Sequence, residues 1–139
     1  MGFTLDTVLD ADFDTVETQV RSCLNDAGFV VLTEFNVSAK IKASVHKDIS
    51  RFKIFGIGNS QLSYEAICLV AKVGVLLPCN IALREVEGGV EVSAVDPVVL
   101  LGVVKNPDVD KLAQEMRRRL AAALECLSVS AKLSETTGN

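Results

Sequence analysis

The stretch Phe52–Pro97, FKIFGIGNSQLSYEAICLVAKVGVLLPCNIALREVEGGVEVSAVDP, decides the fold, because two strand-like runs, a helix and a Pro78-Cys79-Asn80 step follow one another within it. Arg51 to Ile57 is apolar and β-branched enough for a strand. It runs into Gly56-Ile57-Gly58-Asn59-Ser60, a turn whose Asn or Ser can cap the next helix. Leu62, Ala66, Leu69, Val70 and Val73 recur at helical steps, and Gly74 is placed to end that helix. Pro78 cannot donate to a ladder, so it belongs at a strand start or edge. Asn80 to Glu87 and Val90 to Val95 flank Gly88-Gly89, a pair suited to a two-residue turn with positive φ at both places. That hairpin opposes Leu83 to Ala94 and Glu85 to Val92. It puts Ile81, Leu83, Val92 and Ala94 on a core face and Arg84, Glu91 and Ser93 on the other.

Outward from this stretch, Phe3 to Leu9 alternates as a strand. Phe13, Val16, Val20, Leu24 and Ala27 form one helical stripe between an Asp12 N-cap and Gly28. Phe29 to Phe35 reads as a strand buried on at least one face. Val37 to Lys47 stays open: Val37, Ala39, Ile41, Ala43 and Val45 alternate like a strand, while Val37, Ile41 and Val45 also make a helical stripe that Asn36 could cap. Asp96-Pro97 and Asn106-Pro107 each open a helix, with an acceptor at the N-cap and proline at the first helical position. The second of these helices carries Val109, Leu112, Ala113, Met116, Leu120, Ala123, Leu124 and Leu127 on one face. One domain over residues 1–127 and a flexible polar tail over 128–139 are expected.

A chain of 139 residues is one domain, long enough to bury roughly two thirds of its unfolded surface. With 49% apolar and 23% charged residues it has the balance of an ordered globular protein. The net charge of -4 and a single basic run, Arg117-Arg118-Arg119, disfavour nucleic acid. Those arginines read as a solvated helix face, with Glu115 supporting Arg119. The longest apolar runs, such as Val98 to Val104, are far below the roughly 20 residues of a membrane span. The opening MGFTLDTVLD has neither Lys nor Arg, unlike a secretory leader. A cytoplasmic location is the expectation. Cys23, Cys68, Cys79 and Cys126 show no CxxC pairing, so no metal site is expected and most should be reduced and buried. Cys23 and Cys126 read as small core residues of the first and last helices.

The segments DFDTVETQVRSCLNDAGFVVLTEFNV, FKIFGIGN, VGVLLPCNIAL, VSAVDP and NPDVDKLAQEMRRRL together resemble the bacterial and archaeal family catalogued as domain of unknown function three-hundred-and-two. The likeness runs from about Phe3 to Leu127, and Leu76-Leu77-Pro78-Cys79-Asn80 is its most specific piece. The resemblance implies an α+β fold of the TATA-binding-protein-like class, one curved antiparallel sheet with helices on one face, and usually a homodimer. It also implies that Val37 to Lys47 is helical. In that family a cysteine usually stands in the turn after the third strand, where this chain has Gly58, so a two-cysteine chemistry with Cys79 loses its partner.

Candidate ligand-binding residues are therefore Gly56, Gly58, Asn59, Cys79 and Asn80. The helix N-terminus after Gly58 could hold an anion, although Gln61 occupies the third glycine position of a GxGxxG loop. Asn80 could contact a ligand or orient the Cys79 sulfur, and Asp96 reads as a cap. His46 reads as a surface residue, and no pair of carboxylates converges on one place. No cofactor is indicated. The reading favoured is a dimeric module that binds a small ligand or protein partner in the concavity of its sheet. The alternative is a thiol-dependent enzyme or a sulfur or soft-metal carrier using Cys79.

Overall fold

In chain order the elements are β1 (Thr4–Leu9), α1 (Phe13–Asp26), β2 (Val30–Asn36), α2 (Val37–Val45), β3 (Phe52–Gly58), α3 (Ser60–Leu69), a 3-10 segment (Ala71–Leu76), β4 (Cys79–Val86), β5 (Gly89–Val95), α4 (Pro97–Gly102) and α5 (Pro107–Thr137). The structure is a computed structural model that describes residues 2–137, with side-chain surroundings for residues 2–130. The five strands form one antiparallel sheet in the order β1-β5-β4-β3-β2, and the helices pack on one of its faces.

Capping sets the helix starts as the sequence implies. Thr15 N donates to Asp12 Oδ1 at 2.9 Å, and this bond with that of the Thr15 hydroxyl holds the Asp12 carboxyl below its ordinary pKa. Asn106 Oδ1 accepts from the backbone N–H of Asp108 and Val109, and Asp96 Oδ1 accepts from Val98 N at 2.9 Å. Asn36 likewise accepts from Ala39 N at 3.0 Å, so α2 is the helix the family resemblance implied. None of its residues is buried. The strand-like alternation there is a surface pattern, and the Asn36 cap decides the conformation.

Two apolar clusters make the core. The larger joins the sheet to α1 and the second half of α5 through Phe13, Val16, Val20, Leu24, Phe55, Ile81, Leu83, Val92, Leu120 and Leu127. The smaller is among helices: Leu62, Ala66, Val73, Leu101, Val109, Ala113 and Met116. Each of the larger side chains, Val, Leu, Ile, Phe or Met, stabilises the fold by about 1.5–3 kcal/mol in transfer free energy when fully buried.

The structure corrects five expectations. The hairpin turn is Glu87-Gly88 rather than Gly88-Gly89, so Leu83 opposes Val92 and Ile81 opposes Ala94. A shift of two residues preserves the facing of every side chain, which is why the core face was read correctly with the wrong partners. Gly89 instead closes on β1, where an added Cβ would lie 2.9 Å from the Leu9 carbonyl carbon. The strand β2 exists but is a largely exposed sheet edge; only Phe29 before it is buried. There α1 meets the sheet through charges as well as through the partly buried Val31: Arg21 and Lys53 each bridge both Glu17 and Glu34. α3 ends at Leu69, not Gly74, because Val70 is extended. That break aims Val70 and Val73 into the helical cluster and leaves Leu69 outside. Cys23 and Cys126 are joined by a disulfide with a Cα–Cα distance of 5.8 Å, so they are not the reduced core residues expected. Their helix faces share Leu24, Leu124 and Leu127, and that packing brings two distant cysteines together. Finally, Arg117 is not merely solvated: its Nε donates to Asp96 Oδ2 at 3.1 Å, tying α5 to the start of α4. Glu115 holds Arg118 and Arg119. The tail segment is helical as far as Thr137, and the rest of the expected tail, 138–139, lies outside the described residues.

Candidate binding face

Alternation along β4 separates the two residues that the sequence singled out together. Cys79 opposes Ile57 and Ile81 opposes Phe55, and all four side chains are in the core under the helices. Asn80, one residue on, opposes Gly56 and is exposed on the helix-free face. Asn80 therefore cannot orient the Cys79 sulfur. Burial pushes the Cys79 thiol up to about 11, which favours its protonated form at neutral pH.

The remaining candidates serve the fold. A Cβ at Gly56 would lie 2.6 Å from Pro78 Cγ and collide with the Thr33 hydroxyl, so this glycine lets Pro78 and β2 close over β3. A Cβ at Gly58 would meet Leu32 Cδ1 at 3.0 Å. Asn59 spends its carbonyl oxygen on Leu62 N as the α3 cap and donates its amide to Gly28 O at 2.9 Å. His46 ends α2 in a left-handed conformation and is exposed. Among the described residues no group of three His, Cys, Asp or Glu is placed to hold a metal ion.

What the structure does assemble is a surface on the helix-free face. Cross-strand pairing lines up Phe35, Ile54, Ala82, Ser93 and Asp6 in one row, and Phe52, Arg84, Glu91 and Val8 in another. A depression of about 260 Å³ opens there, lined by Phe3, Thr4, Ile54, Asn80, Ala82, Ser93 and Val95. Four strands contribute to it and no lining residue is charged. Arg84 and Glu91, opposed across β4 and β5, pair at 2.9 Å beside it. Of these residues the sequence pointed only to Asn80. The others were legible as the outward positions of alternating strands, but alternation alone does not say which outward positions converge.

Two further grooves lie along α5. One, of about 400 Å³, runs between the outer edge of β1 and Ala121, Leu124, Glu125 and Ser128. The other, of about 510 Å³, lies between Tyr64, Cys68 and Leu69 of α3 and Asp108, Lys111 and Leu112 of α5. No described helix is long and apolar enough to cross a membrane.

A single five-stranded antiparallel sheet with its helices on one face and the other face open defines an α+β protein. The chain belongs to the family described as Domain of unknown function DUF302, which it matches over residues 5–127. Its fold is similar to the crystal structure of uncharacterized conserved protein DUF302 from Bacillus stearothermophilus, with a TM-score of 0.86 at 22% identity, over 91% of this chain and 99% of that one. No curated protein matches the sequence.

Proposed function

We propose that this chain is a dimeric, non-catalytic module that takes a small ligand on the helix-free face of its sheet. The observation that supports this reading is the uncharged depression of about 260 Å³ in which Thr4, Asn80 and Ser93 interrupt an apolar lining. An apolar wall with a few polar groups is the composition of a small-molecule site, and the lack of charge points to a neutral ligand with one or two hydrogen-bonding groups. The thiol alternative is disfavoured, since Cys79 is buried and its thiol is raised.

Dimerisation is supported by the β2 edge, where Val30, Leu32 and Phe35 are exposed beside unpaired backbone groups. Sedimentation at micromolar concentration is expected to give twice the 14.9 kDa monomer mass. The proposal places the protein in the cytoplasm, where a disulfide such as Cys23–Cys126 is uncommon, and fractionation tests that location.

Native mass spectrometry of freshly purified protein is the test of the binding face. A bound small molecule is expected, and it should be lost in Ala82→Arg, which puts a charge into the depression, with the melting temperature retained. A ligand that persists in that variant, or a bound protein fragment in place of a small molecule, would displace this reading.

A further inference from the structure

We propose that Cys23 and Cys126 are a reversible dithiol–disulfide couple and that Cys126 is the sulfur at which an outside thiol enters. The pair joins α1 to α5, and its two members differ in access. Cys23 is 2% exposed, walled in by Val20 and Leu24 of its own helix. Cys126 is only partly buried, on a turn of α5 where Glu125 and Val129 are exposed.

Thiol–disulfide exchange needs a thiolate to approach the attacked sulfur in line with the bond that breaks, from the side away from the leaving sulfur. Cys126, the partly exposed member of the pair, is the cysteine that a thiolate from solvent can reach. Attack on Cys23 would require entry through the core. The thiolate of a dithiol reductant bonds to the Cys126 Sγ, the Cys23–Cys126 bond breaks, and Cys23 leaves as a thiolate that takes a proton. The reductant's second thiol then attacks the mixed disulfide and releases Cys126. The dithiol is oxidised to its disulfide, and the protein has gained two electrons and two protons. A small-molecule disulfide such as oxidised glutathione reverses the sequence.

Reversibility follows from the packing. Leu24 and Val20 of α1 and Leu120, Ala123, Leu124 and Leu127 of α5 share one buried cluster, so the helices stay side by side when the bond opens and the two thiols remain together. The other cysteines do not compete for either partner: Cys79 is buried on β4 and Cys68 is on the exposed face of α3.

The test uses the full chain purified without reductant. Iodoacetamide added to the folded protein should label Cys68 alone. After brief treatment with reduced glutathione, peptide mapping should find the mixed disulfide on Cys126 in about tenfold or greater excess over Cys23. Oxidised glutathione should then restore the cross-link. In single variants treated with oxidised glutathione, Cys126 of Cys23→Ser should take up glutathione in the folded state with release of one reduced glutathione, and Cys23 of Cys126→Ser should do so only on unfolding. Equal glutathione on the two cysteines of the wild-type chain would overturn the entry point, whatever the variants do. Failure of oxidised glutathione to close the reduced pair would overturn the couple itself.

Discussion

The two faces of the sheet are built from the same strands and differ in nearly every other respect. On the covered face Phe55, Ile57, Cys79, Ile81, Leu83, Val90, Val92 and Ala94 are all buried, whereas the alternate residues Phe35, Ile54, Ala82, Arg84, Glu91 and Ser93 line a surface that no helix covers. Strand propensity is shared by both faces, so the contrast shows that propensity builds the ladder while the helices decide which face stabilises the fold. The covered face carries stability, and the open face is free to carry recognition.

The largest test of that contrast opens the cross-link behind the covered face. The disulfide closes a loop of 103 residues, and its reduction should lower the unfolding free energy by about 4 kcal/mol with the fold retained. Denaturant melts with and without reductant measure this, and equal midpoints would show that the bond constrains nothing. Next, Leu83→Ala on the covered face should cost about 3 kcal/mol, whereas Ser93→Ala on the open face should stay within about 0.5 kcal/mol. Comparable losses from the two would erase the distinction.

Gly56 marks the place where the open face is closed. Its missing Cβ admits Pro78 and Thr33, so Gly56→Ala should cost about 2 kcal/mol by overpacking. A melting temperature equal to that of the wild type would mean that β2 and Pro78 can move aside. A smaller effect than these losses belongs to the charged end of the covered face, where Lys53 chiefly, and Arg21, hold the Glu34 carboxyl below its ordinary value of 4.5. Because its folded pKa is depressed, the stabilisation it gives is complete above the unfolded value and fades as pH falls through the folded one. Glu34 is partly exposed, so solvent screening limits the effect to under about 1 kcal/mol. Acid melts of Glu34→Gln should show a shallower loss between pH 4.5 and 3 than the wild type, and parallel curves would assign the acid sensitivity elsewhere.

Much of this division is written locally. Each cap-and-proline pair, the stripes of α1 and α5, and the inward set Ile81, Leu83, Val92 and Ala94 follow from periods and capping chemistry that act within a few residues. Pairings between distant segments are not written that way. The Cys23–Cys126 bond depends on two helices docking, and neither cysteine has a nearby partner in sequence that signals it. Exposure of β2 depends on its being last in the strand order, which Val30 to Phe35 cannot report. The site suffered most. Gly56, Gly58, Asn59 and Cys79 stood out because their residue types are chemically distinctive, yet the fold accounts for each of them. The residues that converge around Asn80 are ordinary ones brought together by cross-strand register.

Adjacent positions on one strand give the most direct measurement. In a Cys68→Ser background, the rate of iodoacetamide labelling at pH 7 can be compared for native Cys79 and for a thiol introduced by Asn80→Cys in a Cys79→Ala chain. The account predicts that the introduced thiol reacts like a free one, and that Cys79 reacts about a hundredfold more slowly or only on unfolding. Labelling of Cys79 at a rate close to that of the introduced thiol would contradict it, because the sulfur would then be accessible and the covered and open faces would not be distinct.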